Sequence, residues 1–236
     1  SPAKTIRTIS KLDQMGVVDQ GRYTLGLEDD ILMLLQNPDA NQLSRRYFQR
    51  VKPISIPLDY HFVKPQVLAH LKNLLAKKTD TPTHIMLAGP PGTGKTSMGT
   101  ALAATADVPV YAIIRDEDNL SGSRRNAIVA CMNMTNAGRG SIIIVDEADN
   151  LLNTGSSWRL RGETQDKGWL NQLMEKPGVR IIWITNTTDG IEDSVLRRFA
   201  YSLKFKPFNR LQRVSLFDRI LRANRVKRFF SRPDIE

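Results

Sequence analysis

The sequence predicts an α/β protein, a three-layer sandwich whose central parallel sheet is covered by helices on both faces. Three observations predict it. From residue 84 onward, short apolar runs alternate with longer amphipathic segments. The runs, at 85–88, 108–114, 141–145, 179–185 and 201–205, are of strand length and almost continuously apolar. Strands buried on both faces of a parallel sheet need that pattern. The chain has 236 residues, 41% hydrophobic and 25% charged, an ordinary globular composition with room for one domain and an appendage.

Along the chain, residues 1–60 read as a small helical N-terminal appendage. An apolar cluster at 27–35 is closed by Asn37-Pro38, and 43–51 places Leu43, Tyr47, Phe48 and Val51 at helical spacing. Pro53 and Pro57 then mark an irregular or extended connection. The core is expected over 61–206. It opens with a helix whose first turn takes Pro65 and whose apolar face is Val67, Leu68, Leu71, Leu74 and Leu75. Further helices are expected at 95–106, 121–136 and 166–175. Residues 207–236 follow the core with one more helix. Asn209 caps a helix over 208–223, with Leu211, Val214, Phe217 and Leu221 on one face.

Several classes are disfavoured. No apolar run approaches the roughly 20 residues that span a bilayer, and no charged-then-apolar leader opens the chain. No membrane role is therefore expected. One cysteine, Cys131, and three histidines give neither a disulfide framework nor a cysteine-based zinc site. A reducing, cytoplasmic setting is expected. The net charge of +10 is unevenly placed: residues 197–236 hold 12 basic and 3 acidic side chains, against 22 and 21 before them. Such a stripe suits nucleic acid, anionic phosphates or an acidic partner; a solvated helix face is the plainer alternative.

The chemistry is concentrated at two places. Residues 89–96 read GPPGTGKT directly after the apolar run 84–88. This is the G-x-x-x-x-G-K-[ST] phosphate loop in its context of strand, loop and helix. Gly89, Gly92 and Gly94 let the backbone curl so that successive N–H groups face phosphate oxygens. The following helix adds the positive end of its dipole. Lys95 neutralises β- and γ-phosphates, and the Thr96 hydroxyl is a hard oxygen ligand for Mg²⁺. The expected nucleotide-contacting set is Gly89, Pro90, Pro91, Gly92, Thr93, Gly94, Lys95, Thr96 and Ser97. The second place is 141–149, SIIIVDEAD, an apolar strand ending in carboxylates. Ligands of open α/β sheets bind at that end. Asp146 is expected to hold the metal with Thr96, and Glu147 to orient and polarise the attacking water. An acidic helix N-terminus is the bland alternative. Asp149 reads as local structure.

The two motifs, in this order and spacing, resemble the AAA+ family of ring-forming ATPases. The resemblance covers about residues 60–222 and implies a P-loop sandwich fold, ATP and Mg²⁺ as nucleotide and metal, and ATP hydrolysis. ATP rather than GTP rests on that resemblance alone. It implies that Asn186, ending the strand in IIWITNTTD, senses the γ-phosphate. It implies an arginine finger in EDSVLRRF, either Arg197 or Arg198, with Arg198 favoured as the residue before Phe199; surface ion pairing is the alternative. The finger would act on a neighbouring subunit, so the resemblance implies a ring, a hexamer, that remodels a protein or nucleic-acid partner. The resemblance makes 207–236 the start of a helical lid, of which only the first helix is expected here, and the chain also departs from the pattern in DNLSGSRRNAIV, which lacks the aromatic of a protein-threading pore loop. Its LRRF also differs from the clamp-loader finger motif. Arg124, Arg125 and, in the stretch 152–168, Trp158, Arg159 and Arg161 read as surface loop or as contacts to a polymer. A rival reading is an ATP-switched nucleic-acid-binding module using 197–228. A third is a remodeller that docks one protein through 1–60.

Overall fold

The computed structural model describes residues 18–20, 25–27, 47–52, 56–76, 80–114, 121–135, 140–154 and 167–226. The strands are β1 (Val18–Gln20), β2 (Leu25–Leu27), β3 (Phe48–Arg50), β4 (Thr83–Ala88), β5 (Val110–Ile113), β6 (Ile142–Val145), β7 (Arg180–Thr185) and β8 (Tyr201–Lys204). The helices are α1 (Pro65–Ala76), α2 (Lys95–Ala104), α3 (Ser121–Met134), α4 (Asp149–Leu152), α5 (Lys167–Met174), α6 (Asp193–Leu196) and α7 (Arg210–Ala223). A 3-10 turn spans Leu58–His61. Six strands form one sheet in the order β3-β5-β6-β7-β4-β8, parallel except for β3. β4 and β7 are buried along their whole length, as continuous apolar runs between two helical layers require.

Each face of the sheet buries its own apolar cluster. One joins Leu71 and Leu75 of α1, Met98 and Leu102 of α2, and Ile85, Leu87, Ile142 and Ile182 of the strands. The other joins Ile128 and Cys131 of α3, Leu170 of α5, and Met86, Ile143, Ile181 and Trp183. Alternate residues of a strand point to opposite faces, so Ile85 and Met86 serve different clusters.

Two expectations are corrected. The helical reading of 1–60 does not hold at 18–20, 25–27 and 48–50, which are strand. Among the described residues, β1 and β2 pair antiparallel with each other, and 48–50 is strand, not helix. Tyr47 and Phe48 are buried, and Phe48 stacks edge-on against Tyr111 of β5 at 5.7 Å. The apolar spacing of 43–51 is satisfied by pairing with β5, because a tertiary edge overrides a short helical period. The core therefore begins before residue 61, and its sheet is mixed. The cluster expected at 27–35 and the lead-in 43–46 fall, beyond Leu27, outside the described residues. α7 matches its expected helix, and Asn209 forms a capping box with Gln212.

His84 is a buried structural group. The indole N–H of Trp183 donates to its Nδ1 at 3.1 Å, so its Nε2–H donates to the carbonyl of Met174 at 3.0 Å. Burial favours the neutral ring and lowers its pKa to about 4. Between that value and about 6.5 the unfolded chain binds a proton that the folded chain does not. The stability contributed is full above about pH 6.5 and is lost as pH falls toward 4, by about 3 kcal/mol. Thermal melts are expected to show a steeper fall in Tm between pH 7 and 4.5 for the parent than for His84→Gln. Parallel curves would contradict this assignment.

Candidate nucleotide-binding site

The phosphate loop leaves the end of β4 and enters α2. Gly89, with φ of 150°, lies so close to the chain after β8 that a Cβ would sit 2.5 Å from the carbonyl oxygen of Phe205. Only glycine fits there. Gly94 starts α2 at φ 82°, with the His61 ring 3.3 Å from where a Cβ would be. Thr93 is buried and donates to the Pro90 carbonyl at 2.8 Å, which closes the loop on itself.

Lys95 is buried at the centre. Its Nζ donates to the carbonyls of Gly89 at 2.6 Å and Pro90 at 2.9 Å, and to Asn186 Oδ1 at 3.2 Å. Desolvation lowers its pKa, and the charges of Asp146 and Asp149 oppose that shift. Thr96 Oγ1 donates to Asp146 Oδ2 at 2.6 Å, so two hard oxygen donors from α2 and the end of β6 converge on one point. This donor pair fits Mg²⁺, which is commonly held by few protein oxygens.

Four expected residues are thus joined in two directly bonded pairs, Lys95 with Asn186 and Thr96 with Asp146. Glu147 follows at once, exposed and with φ of 49°. A non-glycine residue in this left-handed region carries about 1 kcal/mol or more of strain. The turn is held by the Glu147 N–H, which donates to Asp146 Oδ1 at 2.8 Å, and by the Ala148 N–H, which donates to the Ile184 carbonyl at 2.7 Å.

The two arginines lie elsewhere. Arg197 is exposed after α6. Arg198 is bound to Glu175 Oε1 through Nη2 at 2.7 Å and to the Ser194 carbonyl. None of these partners belongs to the phosphate loop. Arg124, read from sequence as surface or polymer contact, is instead 2% exposed and bound to main-chain carbonyls at the end of β6. Trp158, Arg159 and Arg161 fall outside the described residues.

Sequence reasoning missed two features. Asp149 is the organiser of the Asn186 turn. Its Oδ1 accepts from Thr185 Oγ1 at 2.9 Å and from the N–H groups of Asn186 at 2.8 Å and Thr187 at 3.3 Å, and its Oδ2 accepts from Asn186 Nδ2 at 3.2 Å. Held on both sides, the Asn186 amide offers Oδ1 to Lys95. The second feature is a cavity of about 560 Å³ beside the loop, lined by Tyr60, His61, Gly94, Phe208, Leu216 and Ile220 among others. It joins the 3-10 turn, the loop and α7. His61 Nε2 lies 3.3 Å from Ser97 Oγ, and burial lowers its pKa, so the ring is neutral at pH 7.

The mostly parallel sheet and its phosphate loop define a P-loop nucleoside-triphosphate-binding protein. Residues 85–207 match the model of the ATPase family associated with various cellular activities (AAA), and the chain belongs to that family. It is 30% identical over 139 residues to the ATP-dependent zinc metalloprotease FtsH of Mesomycoplasma conjunctivae, which covers 55% of this chain and 18% of that protein. It is 32% identical over 99 residues to the Lon protease of Methanosphaera stadtmanae, covering 38% of this chain and 12% of that protein. The matched segments are thus less than a fifth of these relatives' length. Among solved structures, the FIGL-1 AAA domain in complex with ADP aligns with a TM-score of 0.55 at 20% identity, over 78% of this chain and 68% of that one. A chain of the E. coli MS115-1 HORMA:CdnC:Trip13 complex aligns with a TM-score of 0.53 at 20% identity, over 75% and 76%. These structural likenesses establish the fold.

Proposed function

We propose that the chain binds Mg·ATP at Gly89–Thr96 and hydrolyses it, as one subunit of a ring, most simply a hexamer, that remodels a protein partner. The observation that carries the proposal is the direct bonding of Lys95 to Asn186 and of Thr96 to Asp146. It sets an ammonium, an amide, a hydroxyl and a carboxylate from different strand ends around one place for a triphosphate.

In this reading the main-chain N–H groups of the loop and Lys95 hold the phosphates. Thr96 and Asp146 would hold Mg²⁺, which supplies charge neutralisation at the phosphate oxygens. Glu147 orients the water and takes its proton, and Asn186 reads the γ-phosphate. The cavity between Tyr60, His61 and α7 takes the base, since it is largely apolar with a few polar groups. Transition-state charge is met by an arginine from the next subunit. Arg198 is the favoured residue; just after α6 it pairs with Glu175 and the Ser194 carbonyl. Of the basic stripe, Arg198, Arg219 and Arg222 pair with Glu175, Asp59 and Asp218, so part of its charge is neutralised locally. Nucleic acid is therefore the second choice of partner. A single cysteine, buried, accords with a cytoplasmic setting.

The ring is tested by complementation. Arg198→Ala and Glu147→Gln are each expected to be nearly inactive in ATP turnover. Mixed together, they form junctions with one intact site and one intact finger, and activity returns. An active parent whose two variants never complement would contradict the shared site.

A further inference from the structure

Arg124 is a charged side chain buried where the packing alone does not call for one. It stands in the first turn of α3, and its neighbours on that helix, Ala127, Ile128, Val129 and Cys131, are buried apolar groups. Its Nη1 donates to the Glu147 carbonyl at 2.6 Å, and its Nη2 donates to the Asp146 carbonyl. One guanidinium therefore takes two successive carbonyls, those of the residues proposed to hold the metal and to activate the water.

That grip has a conformational consequence. In an extended strand, successive carbonyls point to opposite sides. Two in a row can meet one planar donor group only if the chain breaks from extended geometry between them. The break is at Glu147, whose φ is 49°. The left-handed region is unfavourable for glutamate and persists only where surrounding contacts enforce it. The base from which Arg124 acts is itself held. The next residue, Arg125, places its guanidinium 4.9 Å from the ring centroid of Trp169 in α5, so two helices share the first turn of α3. An apolar side chain would fill the space at less desolvation cost. It would lack the fork of donors that two adjacent carbonyls need.

We propose that Arg124 is a positioning residue for hydrolysis: by holding the Asp146 and Glu147 carbonyls on one guanidinium, it fixes the strained turn that carries the Glu147 carboxylate. It acts through the backbone and needs no contact with nucleotide. The inference rests on the ATPase reading above. It separates two things that otherwise travel together, since the phosphate loop binds nucleotide without Arg124, whereas the water-activating carboxylate is misplaced without it.

The test measures ATP turnover, affinity for a fluorescent ATP analogue and Tm for the parent, Arg124→Lys, Arg124→Met, Glu147→Gln and Arg124→Lys/Glu147→Gln. Lysine keeps the charge and reach but offers one ammonium in place of the fork. Arg124→Lys is expected to lower kcat about 30- to 100-fold, the scale of a misplaced catalytic group. Its nucleotide affinity should stay within about threefold of the parent and its Tm close to it. The double variant should be no slower than Glu147→Gln, because both changes disable one carboxylate. Arg124→Met, if it folds, should match Arg124→Lys in turnover. Parental turnover in Arg124→Lys overturns the inference. So does joint loss of affinity and Tm in that variant, or a double variant slower than Glu147→Gln, since either marks a merely structural role. A parent that binds nucleotide without turnover overturns the ATPase reading itself and the inference with it.

Discussion

Glu147→Gln is expected to keep nucleotide binding and to lower ATP turnover by about 100-fold or more. Glutamine has the shape of glutamate and leaves the main chain unchanged. The Arg124 grip, the Asp146 bond to the Glu147 N–H and the Ala148 bond to Ile184 are all main-chain contacts at this turn. The phosphate loop is built from β4 and α2 and involves the side chain of residue 147 in none of its bonds described above. The carboxylate's ability to polarise water and accept its proton is removed. Positioned acid–base groups contribute on the order of 10²- to 10⁴-fold, which sets the expected size. Single-turnover hydrolysis gives the loss, and titration with a fluorescent ATP analogue gives the affinity. Equal turnover in parent and variant would take the general-base role away from Glu147.

The parts of this site that were legible in the sequence are those in which chemistry and local backbone share one short segment. GPPGTGKT needs its glycines for a turn and its Lys95 for a charge within the same eight residues. IIIVDEAD needs an apolar run and a carboxylate end together. The strands around them were legible for the same reason, since β4, β6 and β7 are buried on both faces and so are apolar throughout. What escaped is assembled from distant segments. The cavity beside the phosphate loop draws on 56–61, the loop and α7, none of which carries a motif for it. Arg124 lies 22 residues from Asp146, and nothing in SGSRRN distinguishes a buried guanidinium from an exposed one. Asp149 bonds to residues 36 to 38 positions away, so its reading as local structure was too narrow. β3 was missed because three residues are too few to display a period of two. Its strand conformation is imposed by the free edge of β5.

Lys95→Ala is expected to separate affinity from stability in opposite directions. In the folded chain the ammonium is buried, with its pKa lowered by desolvation. The unfolded chain therefore holds that proton more readily than the folded one, and the group's contribution to stability rises only as pH approaches its ordinary value near 10.5. At neutral pH the buried charge opposes folding, while its bonds to the Gly89 and Pro90 carbonyls and to Asn186 offset part of that cost. Removing it should leave the Tm of the free chain unchanged or slightly raised. With triphosphate bound, the balance reverses. An ammonium about 4 Å from a phosphate charge is worth about 4 kcal/mol at an effective dielectric near 20, or about 1000-fold in affinity. Allowing for partial screening by solvent, calorimetry should show ATP affinity falling about 100-fold or more. Affinity lost together with a large drop in Tm would mean that Lys95 is a structural strut of the loop. Affinity retained would mean that the triphosphate is not held where Thr96, Asp146 and Asn186 converge.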